Sequence, residues 1–424
     1  MRQLRIVLTL GALVAMVMMA QADPPGIASA PAEPAEQPEG KDPPKKPKDE
    51  KQPEKKLPPD VFSSALVPRR EPTRTYQPNM MGDFPGYFTR RTVTFNGVQT
   101  TTTTTVTQGN PAVDPPIPGT TTTTTETVPV NQPRNVLVHT PPRGAFKVSE
   151  NTSPRPVDRV FFCYNFYGDI RGPEPGHRLP LTRVEPGAPP PPPGGGVATS
   201  SVQTVLPGAP SLNVHREVIG FEKTIFDGFG SIEVRLPVTQ QTGPREGFNF
   251  QNVGDLWVGT KYAVILDQDT GNVLSGGLAI TIPTGPSLDT VAGSIHPVLL
   301  QPWIGYIWNM DRFFLQAFHS IVIPTDSRDV TLLFNDVSVN WWLIRREDDR
   351  PLSFVVATLE CHVTTPLNHR GLEEPIVVPD LVVLTAGLHV GLFRNTIFTV
   401  GMATPVSGPR VFGHEAFFQF NRRF

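Results

Sequence analysis

Glu360 and His362 come nearest to chemistry by type and spacing. Two apart on an extended chain, they share one face. A carboxylate beside an imidazole there could act as an acid–base pair or supply two metal ligands. The same spacing suits a hydrogen-bonded network in a polar interior, and that reading is preferred. Asp267-x-Asp269-x-Gly271-Asn272 has the opening of a calcium loop, but Leu278 stands where the twelfth position needs a bidentate Glu. The run fits a hairpin turn better. The nine histidines show no ligand spacing, and no Gly-x-Ser-x-Gly, P-loop or dinucleotide fingerprint occurs. No convincing Ser/His pair supports a hydrolase. The chain is read as a non-enzyme with no cofactor and no metal.

The segment that carries this pair, Leu352–Thr364, alternates: Val355, Leu359, Cys361 and Val363 oppose Thr358, Glu360 and His362. Other runs sort the same way. Ile232, Val234, Leu236 and Val238 oppose Glu233 and Arg235; Leu256, Val258, Tyr262, Val264 and Leu266 oppose Asp255, Trp257, Gly259 and Lys261. Leu333, Val337, Val339, Trp341 and Leu343 oppose Asp336, Ser338 and Asn340; Leu384, Ala386, Leu388 and Val390 oppose Thr385, Gly387 and His389. Twelve such runs follow residue 158: Asp158–Gly168, Leu212–Phe226, Gly230–Thr239, Val253–Leu266, Asn272–Pro283, His296–Trp308, Arg312–Pro324, Val330–Arg345, Leu352–Thr364, Leu381–Phe393, Thr396–Thr404 and Phe412–Phe424. In the second of them, charges at His215, Arg216, Glu217, Glu222 and Lys223 fall on both faces and fit poorly.

Alternation alone leaves two solvents open. In a soluble sheet the apolar face points inward; in a membrane barrel it faces lipid and the charged face lines the lumen. Nearly all twelve runs reach the roughly 9–11 residues a strand needs to cross a bilayer. Soluble strands average about 5–6. Long connections (Asp169–Ser211, Gln240–Asn252) alternate with tight ones (Asp227–Phe229, Arg394–Asn395), as periplasmic turns alternate with outer loops. The last run ends with Phe418, Phe420 and Phe424 on one face, the form of an outer-membrane assembly signal, although Arg422 interrupts it. Trp303, Tyr306, Trp308, Trp341 and Trp342 suit an aromatic girdle.

The first part of the chain is different. Arg2 and Arg5 precede an apolar run from Ile6 to Met19, and Ala20-Gln21-Ala22 is a small-x-small cleavage site, so residues 1–22 read as a secretory signal peptide. Residues 23–60, rich in Pro, Lys and Glu, read as a disordered tether. Residues 61–157 carry two six-threonine runs, Thr100–Thr105 and Thr120–Thr125; they read preferentially as a low-complexity, partly extended region, with a small hairpin or a segment lying in or beneath the barrel as the alternative. The 49 prolines exceed the usual ~5% and crowd into the first half. A net charge of −2 gives no sign of nucleic-acid binding. Cys163 and Cys361 could form one disulfide in an exported chain, but both sit in alternating apolar runs, and small buried or lipid-facing residues is the preferred reading.

The segment Val253-Gly254-Asp255-Leu256-Trp257-Val258-Gly259-Thr260-Lys261-Tyr262, with Gly277-Leu278-Ala279-Ile280-Thr281-Ile282-Pro283-Thr284-Gly285 after a turn, is the most specific stretch. It resembles a hairpin of the bacterial outer-membrane family labelled phenol-degradation meta-pathway proteins, itself distantly similar to outer-membrane transporters of hydrophobic compounds. The resemblance implies a barrel and an uptake role, extends by strand rhythm from Asp158 to Phe424, and leaves the first 150 residues without a counterpart.

The expectation is therefore an all-β protein: an antiparallel transmembrane β-barrel of about twelve strands, residues 158–424, preceded by a disordered Pro/Thr-rich region. It would sit in the outer membrane with its N-terminal region in the periplasm. It would act as a passive channel or porin for small solutes, hydrophobic or aromatic ones included. Glu233, Arg235, Asp255, Lys261, Asp336, Glu360, His362 and His389 are the candidate lumen-lining residues. The expected partners are outer-membrane lipid, the barrel-assembly machinery, small solutes and, through the tether, cell-wall polymer. The alternative is a non-conducting barrel that anchors the membrane to the wall.

Overall fold

Strands of 10 to 15 residues, apolar on alternate positions, can satisfy their backbone groups only by pairing on both sides, and closure into a ring removes the last edges. The computed structural model describes residues 77–82, 84–107, 119–140, 147–173, 181–187, 197–206, 211–243, 249–346 and 350–424. The expected signal peptide and tether lie outside these. In chain order the strands are β1 (Tyr87–Thr107), β2 (Thr120–Thr140), β3 (Arg159–Ile170), β4 (Leu181–Gly187), β5 (Val197–Leu206), β6 (Leu212–Ile225), β7 (Gly230–Thr242), β8 (Phe250–Val253), β9 (Leu256–Leu266) and β10 (Val273–Ile282). There follow β11 (Leu288–Thr290), β12 (Gly293–Ile295), β13 (Leu299–Met310), β14 (Phe313–Pro324), β15 (Leu332–Arg345), β16 (Leu352–Pro366), β17 (Ile376–Val377), β18 (Leu381–Leu392), β19 (Thr396–Ser407) and β20 (His414–Arg423).

Twelve of them form an antiparallel ring in the order β6-β3-β20-β19-β18-β16-β15-β14-β13-β10-β9-β7, closed by the β6–β7 pairing. These are the twelve alternating runs of the sequence. The ring fixes the solvent question. Along β16, Leu359 is 55% exposed while its neighbour Glu360 is 1% exposed; Val339 on β15 is 46% exposed and Asp336 1%. Apolar side chains face out and charged ones face in, the reverse of a soluble protein. Ile219, Ile304, Leu388 and Val400 continue the outer apolar belt, and Phe221, Tyr262, Trp308, Phe313, Trp341 and Phe424 ring its tight-turn end.

Two expected girdle residues are corrected. Trp303 and Trp342 are buried inside the ring. Trp303 packs on Phe318 at 5.6 Å, and Trp342 meets Phe354 edge-on at 5.5 Å. They share parity with Gln301 and Asn340, and parity places a side chain more firmly than its type does. Cys163 is buried, Cys361 half-buried on the outer face, and neither is in a disulfide.

The threonine-rich region is not structureless over its described part. β1 and β2 pair through all 21 positions, from Tyr87↔Thr140 to Thr107↔Thr120. Threonine favours extended backbone, and hydroxyl pairs such as Thr100–Thr127 at 3.2 Å add cross-strand support. β5 pairs with β1 along Val98–Val106, and β4 with β5, extending this sheet outside the ring.

The chain threads its own barrel. Gln77 meets Gly271 and Arg423 at the tight-turn end. Residues 78–82 climb the lumen, and Phe84, Tyr87 and Phe88 reach the far mouth, where they pack with Ile376, Val377, Phe412 and neighbours. The β1–β2 hairpin projects beyond that mouth. Residues 147–157 then descend, and Asp158 ends beside Thr224 at the tight-turn end, ready to begin β3.

Candidate functional site: the filled lumen

Inside the ring, strands β3, β6, β7 and β9 carry Arg159, Arg216, Arg235 and Lys261, all buried. Glu222 and Glu233 stand among them: Arg159 donates to Glu222 at 2.8 Å and to Glu233 at 3.2 Å, Arg235 to Glu233 at 2.6 Å, and Lys261 to Glu222 at 2.9 Å. Glu415 on β20 accepts from Asn165 at 2.6 Å. Aromatic faces support the cations, with the Arg235 guanidinium 4.4 Å from the Trp257 ring and that of Arg159 4.4 Å from Phe161. Arg216 and Glu222 belong to the strand whose charges seemed to fall on both faces. Both point inward, while His215, Glu217 and Lys223 point outward on either side of Ile219 and Phe221.

The opposite wall is acidic. His362 Nδ1 lies 2.9 Å from Asp336, and its Nε2 lies 3.0 Å from Glu360. The imidazole thus bridges two carboxylates. The Ser149 hydroxyl donates to Asp336 at 2.8 Å. Among the described residues no group of three His, Cys, Asp or Glu is placed to hold a metal ion.

Both returning segments fill the space between the walls. The ascending one offers backbone N–H groups: Met81 N lies 2.9 and 3.0 Å from the Glu360 oxygens and Gly82 N 3.0 Å away. A side chain at Gly82, whose φ is +60°, would collide with the Glu150 backbone, so glycine is required where the two segments cross. Met81 O accepts from Gln419 and Pro78 O from Gln316. The descending segment offers a tight turn, Glu150 N donating to Lys147 O at 3.0 Å. Lys147 Nζ reaches Asp336 at 3.1 Å, and Glu150 accepts from Arg216 at 2.5 Å. Carbonyls of Glu150, Ser153 and Pro154 accept from Arg235, Lys261 and Ser275. Satisfied in this way, buried charges are tolerable; removing one partner strands the other.

Of the sequence-stated lumen candidates, Glu233, Arg235, Lys261, Asp336, Glu360 and His362 all take part in this network. His389 is buried on β18 with Nδ1 2.8 Å from Thr399. Asp255 lies at the far rim, where it accepts from Gly285 N and pairs with His296 at 3.0 Å. The reading missed Lys147, Glu150 and the backbone of 77–82, because segments without periodicity give no sign of which side they face; it also left out Arg159, although that residue stands at the start of an alternating run, β3. Asp267 caps its own hairpin turn, accepting from Asp269 N at 2.8 Å.

No family model matches the chain, and no curated protein does. The specific phenol-degradation naming is not supported by these two comparisons. Among solved structures, an outer membrane channel from Pseudomonas putida F1 is similar at 9% identity and a TM-score of 0.41, over 63% of this chain and 96% of that one.

Proposed function

We propose that the protein is an outer-membrane barrel that admits small solutes passively when the segments in its lumen move aside. The observation that carries this reading is the polar character of both surfaces that meet inside. A barrel needing only rigidity could fill its interior with apolar side chains, which are often as stabilising as buried ion pairs or more so. Here the wall and the filling segments are each charged or hydrogen-bonding, so each can be solvated once they separate. The apolar outer belt and the aromatic ring at the tight-turn end support a bilayer as the outer solvent. Short turns on that side support its assignment to the periplasm. The charged wall favours polar solutes over hydrophobic or aromatic ones.

The filled lumen also suits the second reading, a closed barrel that serves as an envelope anchor. Proteoliposomes containing the unmodified chain separate the two. Flux of a small polar solute, either a neutral sugar or a short peptide with free termini, above that of protein-free vesicles supports a channel. No flux through folded, inserted protein supports the anchor.

A further inference from the structure

The two charged walls stand across the ring from one another. Five strands separate β6, which carries Arg216, from β15, which carries Asp336, whichever way round the barrel one counts. The basic sector spans β9, β7, β6 and β3; the acidic pair Asp336 and Glu360 sits on β15 and β16. In a water-poor lumen, facing charges of opposite sign produce a field across the bore that orients any dipolar molecule inside.

One short piece of this chain already has the matching form. Within the turn Lys147-Val148-Ser149-Glu150, an ammonium and a carboxylate point in opposite directions. The ammonium meets Asp336 at 3.1 Å on the acidic wall; the carboxylate meets Arg216 at 2.5 Å on the basic wall. All four groups are almost wholly buried. Ser149 adds a hydroxyl to Asp336 at 2.8 Å, and Arg235 donates to the Glu150 carbonyl at 2.7 Å, so the C-terminal half of the turn is held by both walls.

Resting on the channel reading, we infer that the solute admitted by this lumen is an elongated zwitterion, a short peptide with free termini being the simplest kind, and that the Lys147–Glu150 turn occupies its place in the closed barrel. When the turn withdraws, Asp336 keeps His362 and Arg216 keeps the Tyr167 hydroxyl, but each loses its ion pair with the turn; a neutral molecule of the same size cannot restore those two ion pairs, and that difference is the source of selectivity. An anion or a cation alone could satisfy only one wall.

The test compares uptake of triglycine with that of acetyl-triglycine amide into proteoliposomes holding the full chain, either unmodified or as the Lys147→Ala/Glu150→Ala variant. The expected result is faster uptake by the double variant and a preference of about tenfold for the charged peptide. Adding Asp336→Asn or Arg216→Gln should bring the ratio close to one. Should those variants not fold, Asp336→Glu and Arg216→Lys keep the charges and should keep the preference. Equal uptake of the two peptides by the double variant overturns the zwitterion inference and leaves the channel reading standing. Failure of both peptides to enter, with the barrel folded and inserted, overturns both.

Discussion

The ammonium of Lys147 lies 3.1 Å from Asp336, joining a segment that runs down the lumen to the wall that surrounds it. Both groups are almost wholly buried, so neither can turn to water when the other is lost. Lys147→Met should therefore destabilise the closed form by about 3–5 kcal/mol, more than any exposed ion pair would. The expected outcome is lower thermal stability together with faster proteolysis of residues 77–157. Replacing both partners, Lys147→Met with Asp336→Leu, should recover part of the loss.

The outer belt makes a separate prediction. Leu359 lies midway along β16 and faces outward. Leu359→Arg should cost about 2–4 kcal/mol in lipid, whereas Leu359→Phe should be tolerated. Folding into vesicles, read from heat-modifiable gel migration, is the measurement. If arginine proved as acceptable as phenylalanine, that face would not contact hydrocarbon.

A pH dependence follows from His139, at the base of the projecting hairpin. Burial pushes its imidazole below the ordinary value of 6.5, and hydrogen bonds to Gln241 and the Pro85 carbonyl offset this only in part. A histidine whose folded value is depressed contributes stability above its unfolded value and loses it as pH falls. The stability advantage of the native chain over His139→Gln should therefore be full above pH 6.5 and shrink on acidification. Melting curves of the two proteins between neutral and mildly acidic pH give the difference directly, and a difference that widened with acid would contradict the assignment.

The β18–β19 turn carries strain that can be relieved. Phe393 and Arg394, the first two of the three residues that join β18 to β19, both have positive φ, 50° and 63°, a region that favours Gly or Asn. Arg394→Gly should stabilise the barrel by roughly 1 kcal/mol, seen as a higher melting temperature with no change in conductance.

The twelve ring strands were legible because lipid on one side and polar neighbours on the other impose a strict period of two, as in Leu359 beside Glu360. The inward course of Asp336, Glu360 and Lys261 followed from the same parity. Trp303 and Trp342 went astray when aromatic type was weighed above parity. The lumen segments were illegible for a different reason. Met81 and Gly82 bind Glu360 through backbone N–H groups, which every residue but proline possesses, and Lys147 and Glu150 acquire meaning only from the walls they meet. The threonine runs have no hydrophobic pattern, so their pairing rests on register alone.

On the proposed channel function, residues 77–82 and 147–157 close a lumen that can open. Single-channel recording in planar bilayers tests it most directly, comparing the unmodified chain with Lys147→Ala/Glu150→Ala. Rare openings are expected in the first and frequent or sustained openings of the same unit size in the second. A folded, inserted double variant as silent as a protein-free bilayer would contradict it.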